Sequence, residues 1–360
     1  MTDIAALHRS ILTLDSHIDI PWPASEADDP FTESARRRVD LPKMLRGGLR
    51  AGCFAAYIPQ GSRDAAGYAA ASDRALAMLD AIAAMGASRG GIAARLCTSS
   101  AQIQAAFAAG VIAIVPAVEN GHAIGADLGM LAQLRAKGAR YMTMTHNGHN
   151  ALADSAVPRR DLGDGETLHG GLSPFGREAI TEMNRLGMLV DVSHLSRQSM
   201  LQAAMHSTTP VVATHSCVRA LCDHPRNLDD TQLDALRDTE GLIQITAMPS
   251  FLRPKPDSAP ASGKTQAAGK HQASAKQQAS IGDFVDHLDY VVQRIGVAHA
   301  GISSDFDGGG AVAGWSNAGE SEAVTAELVR RGYGHAEIAA FWGGNFLRLL
   351  RRAERAAEPS

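Results

Sequence analysis

Cysteine is scarce in this chain, with four in 360 residues. That is too few for a disulfide framework. Cys217 and Cys222 could pair, but buried free thiols are the expected state. No apolar run reaches the roughly eighteen residues that a membrane-spanning helix needs. The start, Met1-Thr2-Asp3-Ile4, lacks the basic segment and apolar core of a secretory signal, and the polar stretch 351–360 carries no lipid-anchor tail. Basic charge is not in excess either: 34 Lys and Arg face 38 Asp and Glu, a formal net charge of −4. No nucleic acid or other polyanionic partner is therefore expected. These absences predict a soluble cytoplasmic protein with no membrane partner; homo-oligomerisation stays open. What the chain does have is 45% hydrophobic residues, enough for a packed core, and length enough for one α/β barrel with insertions.

Eight apolar, β-branched runs recur along the chain, at 11–19, 50–58, 113–119, 140–146, 188–194, 210–215, 241–248 and 300–305. Helix-favouring stretches separate them. Ser173 before Pro174 is a good N-cap and first-turn pair, and Gly187 is placed to close that helix. Ser196 opens another to about residue 205. The stretch 73–85 is alanine-rich and helix-favouring. Eight strand–helix repeats predict a (β/α)8 TIM-like barrel, spanning residues 1–352 as one domain, with a polar tail at 353–360. An open doubly wound sheet is the rival. One segment, 253–280, is rich in Lys, Gln, Ala, Ser and Pro without aromatics. It reads as a low-complexity insertion, disordered or acting as a lid.

Active sites of such barrels lie at the C-terminal ends of the strands. Those ends carry His17, Asp19, Glu119, His146, His194, His215 and Asp305, all potential ligands, acids or bases. His17 and Asp19 are two apart on a strand, so they share a face and can grip one cation. Three imidazoles and two carboxylates exceed the three protein ligands usual for one catalytic zinc, which points to two metals. Glu119 is placed to bridge one cation held by His17 and Asp19 and another held by His194 and His215. Two cations about 3.5–4 Å apart share a water and lower its pKa toward neutrality.

Each residue also has an ordinary reading. The His17–Asp19 pair could be a strand-end hydrogen bond, and His194 or His215 alone a satisfied core histidine. Glu119 could cap a helix near Asp127. Arg226 could form a surface salt bridge with Asp223, Asp229 or Asp230. His122, His149, His169 and His224 are read as solvent-facing or supporting loop residues. Asp307 is the rival of Asp305 and is expected to order the turn before Gly308.

Several motifs together resemble the membrane (renal) dipeptidase family of zinc peptidases. They are Asp15-Ser16-His17-Ile18-Asp19-Ile20-Pro21, Glu119-Asn120-Gly121-His122 and Arg140-Tyr141-Met142-Thr143-Met144-Thr145-His146-Asn147. Gly171-Leu172-Ser173-Pro174-Phe175-Gly176, Asp191-Val192-Ser193-His194, Thr214-His215-Ser216, Arg226-Asn227 and Ser304-Asp305-Phe306-Asp307-Gly308 follow in order. Gly314-Trp315-Ser316-Asn317 and Trp342-Gly343-Gly344-Asn345 resemble the bacterial branch. The resemblance implies a barrel of the metal-dependent hydrolase type that holds two Zn2+ per chain and cleaves dipeptides, L,D as well as L,L. It implies His17, Asp19 and Glu119 on one zinc, and Glu119, His194 and His215 on the other. His146 would contact the scissile carbonyl and its oxyanion, Arg226 the substrate carboxylate, and Asp305 would transfer protons.

Elementary chemistry fits those roles. Amide hydrolysis builds negative charge on oxygen, which cations and an imidazole stabilise, and needs a proton relay, which a carboxylate provides. Arg offers a planar fork to a carboxylate. Two rival functions stand beside this one. The first is an amidohydrolase acting on N-acyl amino acids, cyclic amides or lactones, which would commonly use His-x-His and a carboxylated lysine. The second is a non-catalytic metal-binding protein.

Overall fold

A computed structural model describes residues 3–25, 28–254 and 278–357. The strands are β1 (Leu14–Asp19), β2 (Ala51–Tyr57), β3 (Ser88–Arg89), β4 (Ile92–Leu96), β5 (Ile112–Glu119), β6 (Tyr141–Thr143), β7 (Leu189–Asp191), β8 (Val212–Ser216), β9 (Leu242–Thr246) and β10 (Ala300–Ser303). Each of the eight expected runs overlaps one of them, β5 starting one residue before its run and β8 ending one residue after. The ring order is β1-β2-β5-β6-β7-β8-β9-β10, with every neighbouring pair parallel. Past the end of β10, Asp305 N donates to His17 O at 3.1 Å, and Asp19 N donates to Phe306 O at 3.0 Å. These two bonds tie the last strand position back to the first, so the sheet closes and the doubly wound alternative is excluded.

The short hairpin β3–β4 was not anticipated. β4 pairs the first residues of β5, while β6 pairs its last two, so the two share one edge of that strand. β3 is two exposed residues and β4 is short and mostly half-buried, which leaves little apolar alternation to read.

The helices follow their capping signals. Ser173 accepts from Gly176 N at the start of Pro174–Arg185, and Gly187 follows that helix with φ 67°. Ser196 likewise caps Arg197–His206. The alanine-rich segment lies in the long helix Ala65–Ala84. Helix Asn345–Ala356 packs Phe346, Leu347 and Leu350 against Leu14, Leu189 and Leu242, the first residues of their strands. It thereby seals the end of the barrel opposite the strand C-termini. That helix runs past the boundary expected at 352, and Ala353 is buried. Most of the 253–280 insertion lies outside the described residues. All four cysteines are buried free thiols. Among the described residues no helix is long and apolar enough to cross a membrane.

Two bulges decide which side chains face the barrel mouth. In β1 the register shifts between Asp15 and Ile18. Leu14 belongs to the inner cluster, and three residues on His17 still faces inward, with Asp19 on the same side. In β8 the register shifts between Ala213 and Ser216, so Val212 packs inside and His215 also faces the mouth. A bulge adds a residue and re-aims the side chain after it.

Candidate metal centre and active site

The five expected donors converge. Glu119 ends β5 and is buried. Its Oε2 lies 3.7 Å from His17 Nε2, while its Oε1 lies 3.1 Å from His194 Nε2 and 3.4 Å from His215 Nε2. One carboxylate oxygen thus faces the β1 side and the other the β7–β8 side. His146 Nε2 lies 3.8 Å from Oε1. Donor atoms of His17, Asp19 and Asp305 also fall within 4.8 Å of one another. His194 has φ 66° and Asp305 φ 57°, the left-handed region that costs a side-chain-bearing residue strain. Both sit just past a strand end, where the chain turns sharply over the barrel mouth.

Hydrogen bonds behind the imidazoles fix their tautomers. Tyr141 Oη donates to Ser16 O at 2.8 Å, so at 2.9 Å it accepts from His17 Nδ1. Thr214 Oγ1 donates to Asp191 at 2.7 Å and accepts from His215 Nδ1 at 2.9 Å. His194 Nδ1 donates to Asn147 Oδ1 at 3.3 Å. In all three rings Nδ1 carries a proton tied to an outer oxygen, which leaves Nε2 as the nitrogen that faces the cluster. His17 Nε2 and Asp19 Oδ1 are buried with no hydrogen-bond partner. Inward Nε2 atoms with outward N–H groups tied to oxygen are the usual arrangement of metal-ligating histidines, in which a cation takes the place of any proton on Nε2. The nitrogen and oxygen donor set, without cysteine, suits a catalytic zinc-type site.

The electrostatics show how tightly these groups are coupled. Burial opposes charge on His17, yet Glu119, with Asp19 and Asp305, outweighs it and lifts the imidazole to about 10. Burial, together with the repulsion of His17, pushes His215 down to about 3. Burial and the charges of Arg226 and His146 hold His194 well below its ordinary value. Glu119 stays ionised despite its burial, held low by His146 and His17. Burial, and then Glu119, pushes Asp19 well above the carboxylate range. Burial raises Asp305 to about 7 against the pull of His17. Buried charge of this density is expensive unless cations or protons compensate it.

Arg226 is 4% exposed and donates from Nη2 to His215 O at 3.1 Å. Its Nε is buried without a partner. The three acids that might have bridged it are otherwise engaged: Asp223 with Arg219, Asp229 with Arg197, and Asp230 with Arg294. The guanidinium stacks 5.4 Å over Phe251 and faces a cavity of about 700 Å3. His146, Asp19, Glu119, His194, His215, Arg226 and Asp305 all line this cavity. A second, apolar cavity of about 350 Å3 shares Asp19, Ile20 and Pro21 with it but carries no imidazole.

Sequence reasoning missed the residues that orient the donors. Tyr141, Thr214, Asp191 and Asn147 carry no signal beyond lying beside the motif histidines. Trp22, Tyr57, Arg74 and Phe251, which line the cavity, were also missed. The structure decides or corrects other expectations. His149 is fully buried, accepting from Ser155 N at 3.0 Å, and His122 is 2% exposed, so both take the supporting alternative and neither faces solvent. His224 lines the cavity, with its ring against Phe251. Asp307 accepts from Arg38 N and Val39 N at 2.8 and 3.2 Å, so it tethers a distant loop rather than the turn at Gly308.

Known proteins bear on this geometry. The family model described as membrane dipeptidase (Peptidase family M19) matches residues 1–360. Dipeptidase tcpJ of Claviceps purpurea is 30% identical over 342 residues, covering 92% of this chain and 73% of that protein. The crystal structure of the probable dipeptidase PvdM from Pseudomonas aeruginosa superposes with a TM-score of 0.88 at 31% identity, over 98% of each chain. A metallo peptidase from Rhodobacter sphaeroides, liganded with a phosphinate mimic of the dipeptide L-Ala-D-Ala, gives a TM-score of 0.78 at 28% identity, over 95% of this chain and 99% of the other. With a closed β/α barrel and a nitrogen–oxygen donor cluster at its mouth, this chain belongs to the membrane dipeptidase family of metallopeptidases, M19.

Proposed function

We propose that the chain is a binuclear zinc dipeptidase. The observation that carries this reading is the division of Glu119, with Oε2 toward His17 and Oε1 toward His194 and His215. His17, Asp19 and Glu119 would hold one Zn2+, and Glu119, His194 and His215 the other. Bound there, the pair would supply Lewis acidity toward the scissile carbonyl and a hydroxide at neutral pH.

The chain's own groups supply the rest. Arg226 holds the dipeptide's terminal carboxylate with a desolvated guanidinium fork. His146, its ring edge-on to Tyr57 at 4.8 Å, donates to the oxyanion as the carbonyl becomes tetrahedral. Asp305, raised to about 7 by burial, takes the proton of the attacking water and passes it to the leaving amide nitrogen. The fixed reach from Arg226 to the donor cluster favours dipeptides over longer chains. The Rhodobacter relative, liganded with an L-Ala-D-Ala mimic, supports hydrolysis of L,D as well as L,L dipeptides here.

The amidohydrolase alternative is less well supported, because Lys137 pairs with the exposed Asp80 at 2.7 Å, far from the role of a bridging ligand. The test is a substrate panel on zinc-loaded protein containing L,L and L,D dipeptides, N-acyl amino acids and a lactone. Turnover of dipeptides in preference to the other classes is the expected result. Turnover confined to acyl amino acids or lactones rejects the reading.

A further inference from the structure

The catalytic cavity carries a second guanidinium that none of these roles uses. Arg74 projects from helix Ala65–Ala84, is half-buried, and lines the same cavity as the donor cluster. Its Nε donates to the carbonyl of Tyr57, the last residue of β2, at 3.1 Å. Its two terminal nitrogens make no hydrogen bond or ion pair among the described residues. Burial lowers its pKa, and among the described residues the only group acting against that is the Tyr57 phenol, which is neutral at pH 7. A partly desolvated guanidinium with no carboxylate paired to it among the described residues is an anion site awaiting its partner.

The placement says which part of a ligand it meets. Arg226 follows β8, and β8 lies four places from β2 in the ring of eight strands. The two guanidinium groups therefore stand on opposite walls, with the Glu119 cluster between them. A dipeptide whose terminal carboxylate sits on Arg226, and whose amide lies over the cluster, directs its N-terminal residue at the β2 wall.

We propose that Arg74 is a specificity residue that pairs with the side-chain carboxylate of an acidic N-terminal residue, so that the preferred substrates are Glu- or Asp-initiated dipeptides. This rests on the dipeptidase reading. The competing role for Arg74 is purely structural, an anchor for the Tyr57 carbonyl beside His146.

The test compares kcat/KM for L-Glu-L-Ala and L-Gln-L-Ala on the zinc-loaded full chain, with L-Ala-L-Ala as a reference. The wild type should favour Glu over Gln by about 10-fold or more, the usual worth of a charged hydrogen bond, with the difference residing in KM. In R74Q the ratio should fall close to one, and R74K should retain part of it. The ratio does not depend on how much of a variant is folded. A wild-type ratio near one alongside turnover of L-Ala-L-Ala overturns the Arg74 assignment and leaves the dipeptidase reading standing. An R74Q variant that slows both substrates equally and keeps the ratio marks a structural anchor and also overturns it. No turnover of any of the three dipeptides overturns both.

Discussion

His194 Nε2 and His215 Nε2 face each other at 3.0 Å. Their outer nitrogens donate to Asn147 and Thr214, so neither inner nitrogen has a proton to offer the other. Two lone pairs at that separation repel unless a cation or proton stands against both, and Glu119 Oε1 lies 3.1 and 3.4 Å from the same two atoms.

Tyr141 acts on the site only through His17. Its hydroxyl accepts from His17 Nδ1 and donates to Ser16 O. Tyr141→Phe removes both bonds and lets the His17 ring turn or change tautomer. Zinc affinity, measured by chelator competition, should fall about 10–100-fold. Stability should fall by about 1–3 kcal/mol, because Ser16 O loses a buried partner. Unchanged zinc affinity would show that the His17 tautomer is irrelevant to ligation.

Asp305→Asn should leave zinc content unaltered and lower kcat by about 10²–10⁴. The pH profile separates this from a packing defect. Burial raises the Asp305 carboxyl to about 7 without cations, and nearby cations favour its ionised form. The loaded enzyme therefore loses kcat/KM as pH falls through a value below 7, where the carboxylate becomes protonated and can no longer take a proton. That acid limb should be absent in Asp305→Asn. A variant with an intact acid limb would move the base to another residue.

Arg226→Ala should raise KM for dipeptides with a free terminal carboxylate by about 10–100-fold, the range for losing a charged hydrogen bond. C-terminally amidated dipeptides, already poor substrates, should be much less affected. An equal loss on both would assign Arg226 to holding the His215 carbonyl rather than the substrate.

Gly308 has no room for a side chain. A Cβ there would lie 2.0 Å from Asp19 Oδ2 and 2.4 Å from Asp305 Oδ1. Gly308→Ala should push both carboxylates aside, lowering zinc occupancy and rate together while the thermal transition shifts by only a few degrees. Retention of full occupancy would mean that the two carboxylates have other positions from which to serve.

The barrel and its donors were legible because the strands are apolar runs, six of the eight ending on a polar residue of a chemically distinctive type. Glu119 illustrates this, closing β5 after seven residues buried with it. The bulges were not legible. On simple alternation Val212 and His215 fall on opposite faces, yet both serve the barrel interior because the register shifts between Ala213 and Ser216. The orienting partners were hidden for a related reason: Tyr141 meets His17 only through the closed ring, across 124 positions of sequence. The burial of His149 was not legible because a polar loop reads as solvated, whereas Asp164 accepts from His149 N and Arg159 N and folds that loop over the imidazole.

The central claim is that Glu119 bridges two cations, and metal stoichiometry in wild type and Glu119→Gln tests it most directly. Elemental analysis of zinc-equilibrated, desalted protein should give about two zinc ions per wild-type chain. The variant should bind at most one and lose dipeptide hydrolysis, since an amide offers one neutral oxygen where the carboxylate offers two charged ones. A wild type that binds no metal, or a Glu119→Gln variant with full zinc content and wild-type turnover, would contradict the account.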